Sequence, residues 1–130
     1  MKKEKQIQVI KVEPGKEAYV TTIENDLKAL QKIVSEGAPY VGLIESLCLD
    51  EGVDIVCNEE GKLLSLKPCR RVVFDIIVGT FIIAAVDNDT GEYMSLSNEQ
   101  IEKYLEQFKA PEDIQMKEVE DSISIRFVPF

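Results

Sequence analysis

Arg70 and Arg71 stand side by side after Pro68-Cys69, and paired guanidinium groups are suited to holding a phosphate or carboxylate through several N–H donors. Shortly before them, Asn58-Glu59-Glu60-Gly61-Lys62 sets an amide, two carboxylates and an ammonium within five positions. Asp75 follows, breaking an otherwise apolar run. Asn58, Glu59, Glu60, Lys62, Arg70, Arg71 and Asp75 thus form one candidate site, for a small anionic ligand or a nucleotide. Each also has a plainer account. Neighbouring acids on a turn diverge into water, the arginines find ion pairs with Glu59, Glu60 or Asp75, and Asp75 either caps the start of a strand or is buried against an arginine.

Other chemistries lack their residues. The chain has no histidine, which removes Ser-His and Cys-His nucleophiles together with the commonest transition-metal ligand. Cys48, Cys57 and Cys69 are unclustered and lack CxxC spacing, so neither a zinc site nor a disulfide framework is expected, and reduced thiols in a cytoplasm are the simplest account. Cys57 shares a strand face with Val53 and Ile55 and is expected in the core. Asp87-Asn88-Asp89 invites a calcium loop, yet Glu92 and Asn98 occupy the positions where such a loop needs glycine and glutamate. No phosphate-binding or dinucleotide glycine motif occurs. No catalytic residue, cofactor or metal is therefore assigned.

Charge is uneven along the 130 residues. Residues 1–86 carry 13 acids and 11 bases, whereas residues 87–121 carry 11 acids and 3 bases, so most of the net −9 lies late in the chain. Such a surface repels nucleic acid and suits a basic partner; the bland account is a solvated face that aids solubility. Glu99, Glu102 and Glu106 are the candidate partner surface, since the helix that carries them turns Ile101, Tyr104, Leu105 and Phe108 the other way. The longest apolar stretch, Ile76–Val86, is too short to cross a bilayer, so no membrane partner is expected.

The elements that must position these residues read as one α+β domain over residues 1–130. Ile7–Val12 and Ala18–Ile23 form strands joined through Glu13-Pro14-Gly15-Lys16, where Pro then Gly fits a type II turn. Asn25 or Asp26 caps a helix that runs through Leu27, Leu30 and Val34 to Gly37. Tyr40–Leu47 returns as a strand and Leu49–Gly52 turns. Val53–Asn58 is a strand that leaves through Lys62–Leu66 as a hairpin, with Gly61 in the left-handed position of its loop. Pro68 marks an irregular connection; Ile76–Val78 and Phe81–Val86 are central strands. Ser97 with Gln100 makes a capping box for the second helix, and Ser122–Val128 alternates as a last, half-buried strand. The order, opening ββαβ, predicts an antiparallel or mixed sheet with two helices packed on it.

Several segments carry a resemblance: Val12-Glu13-Pro14-Gly15-Lys16, Asn25–Gln31 (NDLKALQ), Ile55–Leu63 (IVCNEEGKL), Asp75–Phe81 (DIIVGTF) and Ser95–Tyr104 (SLSNEQIEKY). In these the chain resembles domain of unknown function 3846, over about residues 7–112, with 113–130 as an extension. It departs from the family where Pro68-Cys69 stands before Arg70, since members often place Asn before that arginine. The resemblance implies a small protein of bacteria, phages or mobile elements and brings no activity with it. The expected function is an accessory protein that binds a protein partner without catalysis, the alternative being the anionic-ligand site at Arg70, Arg71 and the Asn58–Lys62 segment.

Overall fold

The computed structural model describes residues 4–126. Alternation in the first strand sets the layering. In β1 (Gln6–Val12), Ile7 and Val9 point to one side and Ile10 and Val12 to the other, and all four are fully buried. A strand covered on both faces demands a layer on each side. β2 (Tyr19–Glu24) pairs with it after a turn in which Gly15 has φ 74° and Lys16 N–H donates to Glu13 C=O, as a type II turn requires. α1 (Leu27–Val34) is capped by Asp26, whose carboxylate accepts from Ala29 N–H at 2.8 Å. Its Leu30 and Val34 cover Ile7, Val9, Val56, Ile82 and Ala84 on one face of the sheet.

β3 (Ile44–Asp50) and β4 (Val53–Asn58) form a hairpin, and β5 (Pro68–Val72) with β6 (Asp75–Val78) forms a separate two-stranded sheet. β7 (Phe81–Val86) joins the halves of the main sheet, whose order is β2-β1-β7-β4-β3. β8 (Tyr93–Met94) pairs with the end of β7, and every pairing is antiparallel. On the second face, α2 (Asn98–Phe108) and the β5–β6 hairpin cover Ile10, Val12, Ile55, Phe81 and Ile83. Phe108 meets Phe81 edge-on, with ring centroids 5.8 Å apart. α2 starts with the full capping box between Ser97 and Gln100. α3 (Met116–Arg126) then lies on the outer side of the hairpin, where Val119 and Ile114 pack on Leu66, Ile76 and Val78. Among the described residues no helix is long and apolar enough to cross a membrane.

Five expectations are corrected. Lys62–Leu66 is not a strand: β4 already has β3 on one side and β7 on the other, so no edge remains for it to join. Gly61 accordingly does not adopt positive φ; in this segment Ser65 does, at 54°. The strand expected over Tyr40–Leu47 begins only at Ile44, while Pro68–Val72, expected to be irregular, is a strand with Pro68 at its first position, where a missing N–H is tolerated. Among the described residues the expected C-terminal strand is absent. Ser122 to Arg126 continue α3, which starts in the helix formers Met116-Lys117-Glu118 and needs only one apolar stripe to lie on the hairpin; Phe127 and Val128 lie outside the described residues.

Candidate functional site

The β5–β6 hairpin does not lie flush on the main sheet. Between β6 and the β3–β4 hairpin runs a cleft of about 230 Å³. Leu47 and Cys57 form its floor, Ile76, Ile77 and Val78 one wall, and the turn Glu59–Leu63 its end. Cys57 lies opposite Glu45 in the β3–β4 register, and its thiol donates to Glu45 C=O at 3.7 Å. Burial, with Glu45 and Asp75 nearby, pushes that thiol up to about 12. It is therefore an inert part of the cleft's floor, with no thiolate to offer.

Three carboxylates and one ammonium line the same space. Lys62 hydrogen-bonds Asp75, and both side chains are about 15% exposed, which makes this the most sheltered ion pair of the cleft. Asp75 also accepts from Ile76 N–H at 2.8 Å, so it starts β6 while pairing with Lys62. Glu45 and Glu59 are exposed at the rim and form no ion pair among the described residues.

Asn58 is 5% exposed and serves the fold from the cleft's edge. Its amide donates to Val34 C=O and to Ser35 Oγ at the end of α1, and its side-chain oxygen accepts from Glu60 N–H at 2.8 Å. One amide thereby ties the helix end to the turn. Gly61 is needed here for space rather than for φ: a Cβ would come within 2.9 Å of Val78 Cγ2.

The structure thus gathers Asn58, Glu59, Lys62 and Asp75 at one cleft and sends the other predicted residues elsewhere. Glu60 turns away, accepting from Tyr40 Oη at 3.1 Å. Arg70 is fully buried and bonded to main-chain carbonyls: Nε to Phe108 at 3.1 Å, Nη1 to Cys69 at 2.9 Å and Nη2 to Lys16 at 2.6 Å. Its charge sits at the C-terminal end of α2, whose last turn has no basic residue of its own. Arg71 lies on the outer side, held by Glu112 at 3.0 Å and Glu118 at 2.6 Å, beside a shallow depression formed with Val72–Ile76 and Ser122. Neither pairs with Glu59, Glu60 or Asp75. Glu99, Glu102 and Glu106 are exposed on α2, while Lys103 reaches Asp50 at 3.1 Å.

Sequence reasoning missed Glu45, Leu47, Ile77 and Leu63 as parts of the site. Glu45 and Leu47 alternate correctly for one face of a strand, but only the register Glu45↔Cys57 brings that face to the cleft. Around it the surface is unusually apolar: Leu43 is 59% exposed and Leu63 81%.

No curated protein and no solved structure matches the chain. A family model described as Domain of unknown function (DUF3846) matches residues 7–109, a span that holds the whole cleft and α2 and stops before α3. The chain belongs to the DUF3846 family.

Proposed function

We propose that this chain is a non-catalytic interaction protein that takes a basic, partly apolar segment of a protein partner at the cleft between β3 and β6. One observation carries the reading: the cleft offers apolar walls and rim carboxylates, while its single ammonium is already paired with Asp75. An anion entering there would meet Glu45 and Glu59 and would have to separate Lys62 from Asp75. A lysine or arginine side chain would meet Glu45 and Glu59, which form no ion pair among the described residues, and its aliphatic stem would lie along Leu47 and Leu63. Anionic-ligand binding has less support, because Arg70 is enclosed and Arg71 is clamped on the outer face. Glu99, Glu102 and Glu106 extend the acidic surface and serve the approach of such a partner more than its final affinity. An accessory role in the cytoplasm of a bacterium, for a phage or mobile element, belongs to the same proposal and is supported by the family resemblance.

Thermal-shift titration tests this. A lysine-rich peptide should raise the melting temperature saturably, and less at high salt; Glu45→Gln with Glu59→Gln should remove the effect. Stabilisation by nucleotides or inorganic phosphate, with none by the peptide, would overturn the proposal.

A further inference from the structure

Among the described residues β3 closes one side of the sheet, pairing only with β4. Past the last paired residues the ladder continues with Glu59 N–H donating to Leu43 C=O at 3.0 Å, which fixes the phase of the hydrogen bonds. Leu43, Glu45 and Leu47 direct their main-chain groups inward to β4, and Ile44, Ser46 and Cys48 direct theirs outward. No bond to those outward groups exists among the described residues. The side chains alternate the other way, above and below the sheet. Glu45 and Leu47 line the cleft that runs beside this open edge.

From these facts we infer that the partner segment binds as an added β-strand along β3. Its main chain pairs with Ile44 and Ser46, and its alternate side chains lie on the cleft side. This rests on the proposed use of the cleft and names the form of its occupant. An added strand runs about 4.8 Å from β3, so a side chain directly opposite Glu45 falls within reach of its carboxylate. A basic residue is favoured there, and apolar residues two positions to either side meet Leu43 and Leu47. Strand addition of this type draws affinity from the main chain and selectivity from the alternate side chains. A second copy of this chain fits poorly: pairing β3 with β3 brings Glu45 and Asp50 of both copies to one seam, on a chain of net charge −9. The bulge at Cys48 and Asp50 limits the usable edge to its first half.

The test uses the full chain and a blocked six-residue peptide, Val-Thr-Lys-Thr-Val-Thr, which sets lysine between two valines on one face, observed by amide NMR. Binding should protect the Ile44 and Ser46 amides from exchange. Methylating the peptide nitrogens that face β3 should weaken affinity roughly tenfold or more, since several main-chain bonds are lost together. Ser46→Pro removes an outward N–H without touching the β4 ladder and should weaken binding similarly. Should Ser46→Pro fail to fold, the methylated peptide asks the same question of the native chain. If methylation leaves affinity unchanged while Glu45→Gln reduces it, the cleft reading stands and strand addition is wrong. If Glu45→Gln changes nothing either, the cleft reading fails with it. Concentration-dependent dimerisation through β3, seen in light scattering and abolished by Ser46→Pro, would name a second copy as occupant and overturn the assignment.

Discussion

Replacing Arg70 by Met removes the guanidinium but keeps much of its volume, which isolates the three carbonyl bonds to Phe108, Cys69 and Lys16. Each stranded buried acceptor costs about 1–3 kcal/mol, with some recovery because methionine bends and a carbonyl keeps a second lone pair. A net loss of about 3–4 kcal/mol is expected. Spread over the unfolding entropy of a 130-residue domain, roughly 2.1 cal/mol/K per residue, that is a fall of about 11–15 °C in Tm. Arg70→Lys keeps the charge at the end of α2 but cannot reach three carbonyls in different directions, so it should lose about half as much. Circular dichroism melts of the three proteins, with and without phosphate, decide the matter. A methionine variant melting within about 2 °C of wild type would refute the structural role, since that shift corresponds to well under one hydrogen bond to a charged group. Phosphate that stabilised wild type alone would place an anion at Arg70 and refute it in the opposite way.

Gly61→Ala sets a Cβ 2.9 Å from Val78 Cγ2, so it should destabilise by about 1–3 kcal/mol in chemical denaturation, and Val78→Ala in the same chain should recover part of that. Equal midpoints for Gly61→Ala and wild type would contradict the close approach. Burial pushes Cys57 and Cys69 up to about 12, whereas Cys48 is exposed, so a thiol reagent at pH 8 should titrate one cysteine in the native chain, none in Cys48→Ser, and three after denaturation of wild type. Hydrogen bonds from Arg71 hold the Glu118 carboxyl below its ordinary value of 4.5. A lowered folded value means that this pair's contribution is complete above the ordinary value and is lost as pH falls through the lowered one. The protection factor of the Val119 amide, which takes out the intrinsic pH dependence of exchange, should therefore fall on acidification in wild type; in Glu118→Gln it should already be lower at neutral pH and change less.

What could be read from the sequence follows the range of the forces involved. α1 and α2 were legible because a cap and a stripe at helical spacing are local, and Asp26, Ser97 and Gln100 bond within three residues. β7 was legible because six consecutive apolar residues have no place except between two covered faces. The hairpin expected at Gly61 failed on a non-local fact: both neighbours of β4 come from elsewhere in the chain. Arg70 and Arg71 look alike in sequence, yet one meets carbonyls 38 and 54 residues away and the other carboxylates 41 and 47 residues away. Half of the cleft was visible as the polar segment Asn58–Lys62 with Asp75. The half supplied by Glu45 and Leu47 depends on strand register, which no local pattern encodes.

The position of β7 between β1 and β4 has a consequence for biosynthesis. The β1–β2 pair is complete by Glu24 and β3–β4 by Asn58, but the strand that unites them begins only at Phe81. At translation speeds of about 5–20 residues per second, β1 waits seconds with its inner edge bare, and β4 waits about one second or more. During that interval the nascent chain holds two hairpins with open, apolar edges and nothing to seal them. Their proper partner is still inside the ribosome, so it is at this stage, before residues 81–86 emerge, that the chain is most exposed to wrong strand pairing and has most need of a chaperone.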